Sequence, residues 1–286
     1  MKLEMKCDHR MEVYISIPQS FFSLKIRKLF SSFLRLIDLS PHATNAEGSD
    51  RDIYESVHDM SIFPMGYKIL PRVSSTSSEW PEKLKGIPTS WVSDSLGRCV
   101  GTTGLVIFHG RLDIMIAAPA LTVKTRPGDN LMIHKALELA NEGDAIVIDG
   151  GGDMTQALVG GNMQATAIRK RIAGFIVDGA IRDLADWGTG EVGIWARGHT
   201  PRGPTKDGPG EINVPVSVGG MIVNPGDIIL GDADGIVAIR PDQIPSLWPE
   251  ILRQQAKELR VREENQSGNE DRERINNILR QKGLEI

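Results

Sequence analysis

Apolar and polar positions follow two different rhythms along this chain, and the change falls near residue 190. Before it, runs of consecutive apolar residues without alternation are interleaved with segments of helical periodicity. AIVID (Ala145 to Asp149) and GFIVDG (Gly174 to Gly179) are of the first kind, the composition of strands buried on both faces. A glycine-rich loop and a helix running to about Arg171 lie between them. That β–loop–α–β order predicts a parallel pair joined by a right-handed crossover. Upstream, GLVIFHG and MIAAPALTV predict two strands, and PEKLKGIPTSWVSDSLG predicts a helix with Trp91, Val92 and Leu96 inward. The turn TRPGDN leads to a helix from about Leu131 to Asn141, with Asp129 or Asn130 as its N-cap. After the change, EVGIWARG, INVPVSVGG, MIVNPGDIILGD and GIVAIR are short strands joined by Gly, Pro, Asn and Asp turns. The whole predicts layered sheets with helices on one side, an α/β class that is not a regular doubly wound repeat.

The two ends differ from this core. Ser20 to Leu39 places Phe22, Ile26, Leu29, Phe33 and Leu36 on one helical face, with Lys25, Arg27, Lys28 and Arg35 interrupting the run. This is an amphipathic basic helix, suited to a partner, an anionic surface or a targeting role. It is not a membrane span, which needs roughly 20 predominantly apolar residues. Residues 40–59 are polar and aperiodic, as a linker is, and Met60 opens MSIFPMGYKI like a protein start. The expected organisation is an N-terminal extension over 1–59, a catalytic core over 60–244 and a charged tail over 245–286. The tail is expected to be a solvated helix broken near NQSGNE.

Composition narrows the function classes. The chain has 286 residues with 40% apolar and 24% charged positions, enough to bury a substantial core. A net charge of −4 with both signs interspersed gives no footprint for nucleic acid. Cys7 and Cys99 stand far apart, so no disulfide framework is expected and a reducing, cytoplasmic compartment is the default. The six histidines fall in no zinc-binding spacing.

Three stretches carry candidate chemistry. IDGGGDM imitates a dinucleotide fingerprint, but Thr155 stands where its third glycine belongs and Asp178 comes too late after the first. In ALVGGNM, Gly160 and Gly161 precede a helix whose first amides (Gly160, Gly161, Asn162, Met163) can receive a carboxylate or phosphate. Close helix–strand packing accounts for the same small residues equally well. In VDGAIRD, Gly179 allows a sharp turn. Arg182 then offers a planar fork for a carboxylate, and Asp183 a hard oxygen ligand for Mg²⁺. The polar loop GHTPRGPTKDGPGE adds His199, Arg202 and Lys206 as contacts for a distal carboxylate, or serves as a solvent loop stabilising an oligomer.

Taken together, TVKTRPGDNLMIHKAL, ALVGG…GFIVDGAIRD and VSVGGMIVNPGDIILGDADGIVAI resemble the RraA-like family, over about Ser61 to Arg240. That family includes class II 4-hydroxy-4-methyl-2-oxoglutarate/4-carboxy-4-hydroxy-2-oxoadipate aldolases and the regulator of ribonuclease E activity. The resemblance implies a β/β/α swivelling-domain fold, assembled as trimers or hexamers with the site near a subunit boundary. It implies that Arg182 binds a pyruvyl unit, that Asp183 anchors Mg²⁺ or Mn²⁺, and that amides of Gly160 to Met163 bind the substrate carboxylate. The aldolases carry an acidic residue twenty-one positions before the arginine, where this chain has Gly161. The expected function is therefore a metal-dependent lyase of small 2-oxo acids, with oxaloacetate decarboxylation favoured because it needs no base for a hydroxyl. Asp153 and Asn162 are candidate substitutes for the missing carboxylate. The alternative is a non-enzymatic regulator that binds an endoribonuclease or other protein.

Overall fold

The computed structural model describes residues 66–73, 79–269 and 271–286. The amphipathic helix expected over Ser20 to Leu39, the linker and the Met60 start lie outside the described residues.

One long strand organises the architecture. The first half of β3 (Ile116–Thr125) pairs antiparallel with β11 (Ile228–Asp232), and Ala120 to Lys124 then pair parallel with β4 (Ala145–Asp149). β3 thus passes from one sheet into another. The main sheet runs β1 (Tyr67–Ile69), β8 (Gly210–Ile212), β3, β4, β6 (Gly174–Ile181), β7 (Gly193–His199), β2 (Val106–Ile107). The predicted parallel pairing of β4 with β6 is present, in register from Ala145 opposite Gly174 to Asp149 opposite Asp178. β12 (Gly235–Ile239) continues from β11, β5 (Ala157–Val159) joins β6, and β9 (Val216–Val218) with β10 (Met221–Val223) forms a separate hairpin.

The apolar runs are explained by what covers each face. On one side α3 (Leu131–Leu139), α4 (Gly161–Lys170) and α5 (Leu184–Trp187) pack Ile133, Met163 and Trp187 over Ile146, Ile148, Phe175 and Val177. On the other, Val147, Ile176 and Trp195 meet Val216, Val218 and Ile229 of the second β layer. Successive residues of β4 and β6 therefore enter opposite cores, and Ala145 to Ile148 and Gly174 to Val177 show no polar alternation. A third cluster joins α1 (Glu79–Leu84), α2 (Thr89–Ser95) and the start of α6 (Ile244–Gln266) to β11 and β12 through Leu84, Val92, Leu230, Val237 and Ile251. The layers are helix, sheet and sheet, as the resemblance implied.

Local details depart from expectation. The helix foreseen over PEKLKGIPTSWVSDSLG is two, because Pro88 excludes Ile87 from the helical region and Gly86 turns at φ 79°. GLVIFHG yields only the two residues of β2, and β5 was not foreseen at all. The tail is helical and broken where expected: α6 ends at Gln266, and α7 (Arg272–Gln281) starts from Asp271, whose side chain accepts from the Arg274 N–H at 3.1 Å. Beyond Ile251, no described residue is buried.

Candidate functional site

The site is built where β6 leaves the sheet. All eight of its residues are buried, so Ile181 ends a rigid support and Arg182 is the first side chain free to reach solvent. The Arg182 N–H still donates to the Val159 carbonyl at 3.0 Å, which ties the exit of β6 to the end of β5. Asp183 then takes a left-handed conformation, φ 61° and ψ 49°, which aspartate tolerates better than most residues. That reversal starts the short helix α5. It also turns the Asp183 carboxylate back onto the start of α4, where its Oδ2 accepts the Gly161 N–H at 2.9 Å.

The two glycines of ALVGG are therefore spatial requirements. A Cβ on Gly160 would lie 2.5 Å from Asp183 Oδ2 and 3.1 Å from Arg182 Cγ. A Cβ on Gly161 would collide with Asp186 Oδ2 and stand 3.0 Å from Asp186 Cγ. Gly203 does the same for the guanidinium, since a Cβ there would fall 2.8 Å from Arg182 Nη1. The expected anion nest at the helix start is partly occupied from within. Gly161 N–H serves Asp183 and Met163 N–H donates to the Gly160 carbonyl at 2.9 Å. The Asn162 N–H has no protein partner among the described residues.

Asp186 is the residue that sequence reasoning missed. It sits on α5 one turn after Asp183, and its carboxylate fills the space that an acidic side chain at position 161 would occupy. The chain thus has a second carboxylate at the start of α4, supplied from α5 instead of from α4 itself. The signal was present as the spacing RDLAD, which puts Asp183 and Asp186 three apart on a helical turn. The two earlier substitutes are placed otherwise. Asp153 accepts from the Thr155 hydroxyl at 2.8 Å, and Asn162 is an exposed first-turn residue of α4.

Other candidates sort clearly. Asp178, the would-be ribose ligand, is buried in an ion pair with Arg197, and its Oδ2 also accepts the Gly219 N–H at 2.8 Å. A carboxylate so occupied is not a cofactor handle. His199 ends β7 opposite Ile181, and its ring meets Phe108 edge-on at 5.9 Å, which places it at the rim beside Arg182. Arg202 adjoins Gly203 and its carbonyl accepts the Ala157 N–H at 2.8 Å. Lys206 lies farther along; burial, and after it the Lys206 charge, hold the His134 imidazole below its ordinary pKa. The loop they share is pinned by Asp129. Its Oδ2 accepts the Thr205 hydroxyl at 2.7 Å and the Asp207 and Gly208 amides at 2.6 and 3.0 Å, while Oδ1 takes Leu131 N–H at 3.0 Å. Burial pushes the Asp129 carboxyl up, but these four donors together bring it below the usual range.

No three His, Cys, Asp or Glu side chains gather into a closed metal cage among the described residues. That donor set still fits a hard cation: Mg²⁺ and Mn²⁺ sites use one or two carboxylates with waters and substrate oxygens, not an all-protein shell. The Asp183 and Asp186 carboxylates lie against Gly160 and Gly161, where only glycine leaves them room, and Arg182 Nε lies 3.6 Å from Asp183 Oδ2.

A three-layer α/β protein with paired carboxylates and an arginine at the end of a buried strand is the class that fold and site define. Within that class the chain belongs to the RraA-like family: residues 89–238 match its family model, described as Aldolase/RraA. A "putative 4-hydroxy-4-methyl-2-oxoglutarate aldolase" of Halalkalibacterium halodurans is 38% identical over 184 residues, covering 64% of this chain and 87% of that protein. The "4-hydroxy-4-methyl-2-oxoglutarate aldolase" of Thermus thermophilus is 39% identical over 111 residues, 39% of this chain and 68% of that one. The crystal structure of Streptomyces coelicolor RraAS2, titled an unusual member of the RNase ES inhibitor RraA protein family, superposes with a TM-score of 0.60 at 24% identity. It covers 68% of this chain and 98% of that one, and shows the shared fold. No described helix is long and apolar enough to cross a membrane.

Proposed function

We propose that this chain is a divalent-metal-dependent carbon–carbon lyase acting on small 2-oxo acids. The observation that carries the reading is the pair of carboxylates, Asp183 and Asp186, brought together against Gly160 and Gly161 at the start of α4, with Arg182 beside Asp183. The names of the aldolase relatives support it. Mg²⁺ or Mn²⁺ bound there supplies Lewis acidity toward a 2-oxo acid. Asp183 is the anchoring ligand, and Asp186 is the second carboxylate, as a ligand or through water.

Arg182 receives the carboxylate of the pyruvyl unit. The Arg182 backbone is anchored by its N–H on the Val159 carbonyl, and the guanidinium has room at its tip because residue 203 is glycine. The fork orients the substrate and neutralises charge that grows as the bond breaks. The Asn162 N–H at the positive end of α4 adds a donor for the same anion. Loss of carbon dioxide from oxaloacetate and retro-aldol cleavage of a 4-hydroxy-2-oxo acid both leave the enolate of pyruvate, so one arrangement serves both. Only the second needs a base for a hydroxyl proton, and Asp186 is the carboxylate available to hold it. The glycine at 161 therefore does not restrict the site to decarboxylation. Assembly into trimers or hexamers and a cytoplasmic location belong to this proposal, the latter in keeping with the exposed free thiol of Cys99.

The test is release of pyruvate from oxaloacetate and from 4-hydroxy-4-methyl-2-oxoglutarate with Mg²⁺ or Mn²⁺, against a metal-only blank. Arg182→Ala is expected to lower kcat/KM by roughly 10²–10³. Pyruvate release at the blank rate from both substrates refutes the enzymatic reading. Stable capture of an endoribonuclease by the same inactive protein would establish the regulator instead.

A further inference from the structure

Asp183 and Asp186 are separated by a turn too short to hold its own shape. α5 has four residues, and a helix of that length has almost no intrinsic stability in water. The turn also begins with a left-handed aspartate, a conformation that persists only when its surroundings impose it. Whatever fixes the spacing of the two carboxylates must therefore come from outside the turn.

Two buried side chains reach it, one at each end. The Trp187 ring is fully buried and meets Phe175 edge-on at 5.8 Å, and its Nε1–H donates to the Arg182 carbonyl at 3.0 Å. The indole thus closes the turn on itself, joining its last residue to its first. Gln164 of α4 is 4% exposed, and its Nε2 donates to the Asp186 carbonyl at 2.9 Å. A buried amide in a helix whose neighbouring inward residues are Met163 and Ala167 is an expensive choice for packing alone. The partner makes sense of it. α4 holds the turn at two points: Gly161 N–H on the Asp183 carboxylate and the Gln164 side chain on the Asp186 carbonyl. Those points are three residues apart on both elements, so α4 and α5 are locked in register with both carboxylates at the start of α4.

We infer that Gln164 and Trp187 are positioning residues that set the geometry of the two carboxylates and so the affinity of the site for its cation. The inference rests on the proposed function for the cation, and on the contacts alone for the clamp. Gln164→Met keeps the length and loses the donor; Trp187→Phe keeps an aromatic ring and loses the N–H. Met132→Ala, in the core under α3, is the control for a loss of stability at a distance.

Two measurements on the full chain separate the ideas. Amide hydrogen exchange over residues 182–190 without metal reads the clamp. Both variants are expected to exchange faster there, and Met132→Ala to match the parent; unchanged exchange in both variants overturns the clamp. Titration with Mn²⁺ reads the consequence, with Kd expected to rise about 10–100-fold in each variant, the range for outer partners of metal ligands, and to stay level in the control. Parent-like Kd values in both variants, with binding by the parent itself measurable, overturn the positioning role. A parent chain that binds no Mn²⁺ overturns the functional reading and the metal consequence together, and leaves the clamp to be judged by exchange.

Discussion

Strand β6 and its exit carry two aspartates, each beside an arginine, and they do opposite things. Asp178 lies within the strand, 8% exposed at its side chain, with Arg197 and the Gly219 amide sharing its oxygens. Asp183 lies just past the strand end, with a side chain 44% exposed, one amide on one oxygen, and Arg182 at 3.6 Å. The first pair satisfies itself and joins the main sheet to the loop before β10. The second is left incomplete by a left-handed turn and two glycines, so that its charges remain available to something else. Chemistry sits where ionic partners are held close but not allowed to saturate each other.

The sharpest way to break this comparison is to remove both carboxylates in parallel. Asp183→Asn, which tolerates the same left-handed backbone and keeps an acceptor for the Gly161 N–H, is expected to abolish Mn²⁺ binding and turnover with little change in unfolding midpoint. Asp178→Ala should lower stability by about 2–3 kcal/mol, the range for hydrogen bonds to a charged group, moderated because Arg197 is one-third exposed, and leave Mn²⁺ affinity near the parent value. Calorimetry and denaturant titration on both proteins decide, and reversed outcomes would exchange the two assignments.

A smaller effect concerns where the second carboxylate comes from. Asp186→Ala should weaken Mn²⁺ about 10–100-fold. Gly161→Asp added to that variant should recover part of the loss, because the space opened by Asp186 is the space a side chain at 161 needs. Gly161→Asp alone should impair binding by collision. If the double variant is no better than Asp186→Ala, the exchange between α4 and α5 is wrong.

Gly203→Ala should act more gently, displacing the guanidinium tip and raising KM several-fold, on the order of 1 kcal/mol in binding, with kcat less affected. An unchanged KM would show that the loop yields instead.

The weakest lever is pH, and it acts on the supports of the site, not on its open pair. Burial holds His109 below the ordinary histidine value; its Nδ1 faces Ile194 at the head of β7, and Nε2 has no partner among the described residues. A depressed pKa means that the unfolded chain binds the proton more readily. The stability it contributes is present above about pH 6.5 and is lost as pH falls through the lower folded value. Asp129 is depressed as well, so its contribution is complete above its ordinary carboxylate pKa and declines only in stronger acid. Thermal unfolding from pH 8 to pH 3 should show two successive losses. His109→Gln should flatten the first without touching the second.

Much of this was legible in the chain. β4 and β6 were readable because their leading positions, Ala145 to Ile148 and Gly174 to Val177, are apolar without alternation, as happens when both faces of a strand are covered. Arg182 and Asp183 were readable as candidates because opposite charges side by side at a strand end are an unusual use of sequence. The three residues of β5 were hidden because a strand so short carries no period, and its pairing with β6 supplies the reason it forms.

The amino-acid pattern alone therefore determined the layers and the strand end proposed to bear the chemistry, since both depend on local rhythm and residue type. Only the tertiary structure decided that Asp178 is paired and Asp183 is half-exposed, that the Asp186 carboxylate fills the space of a side chain at Gly161, and that Gln164 and Trp187 hydrogen-bond to the turn. Those facts depend on which atoms from distant segments compete for the same few ångströms, and no spacing along a single strand of sequence encodes that competition.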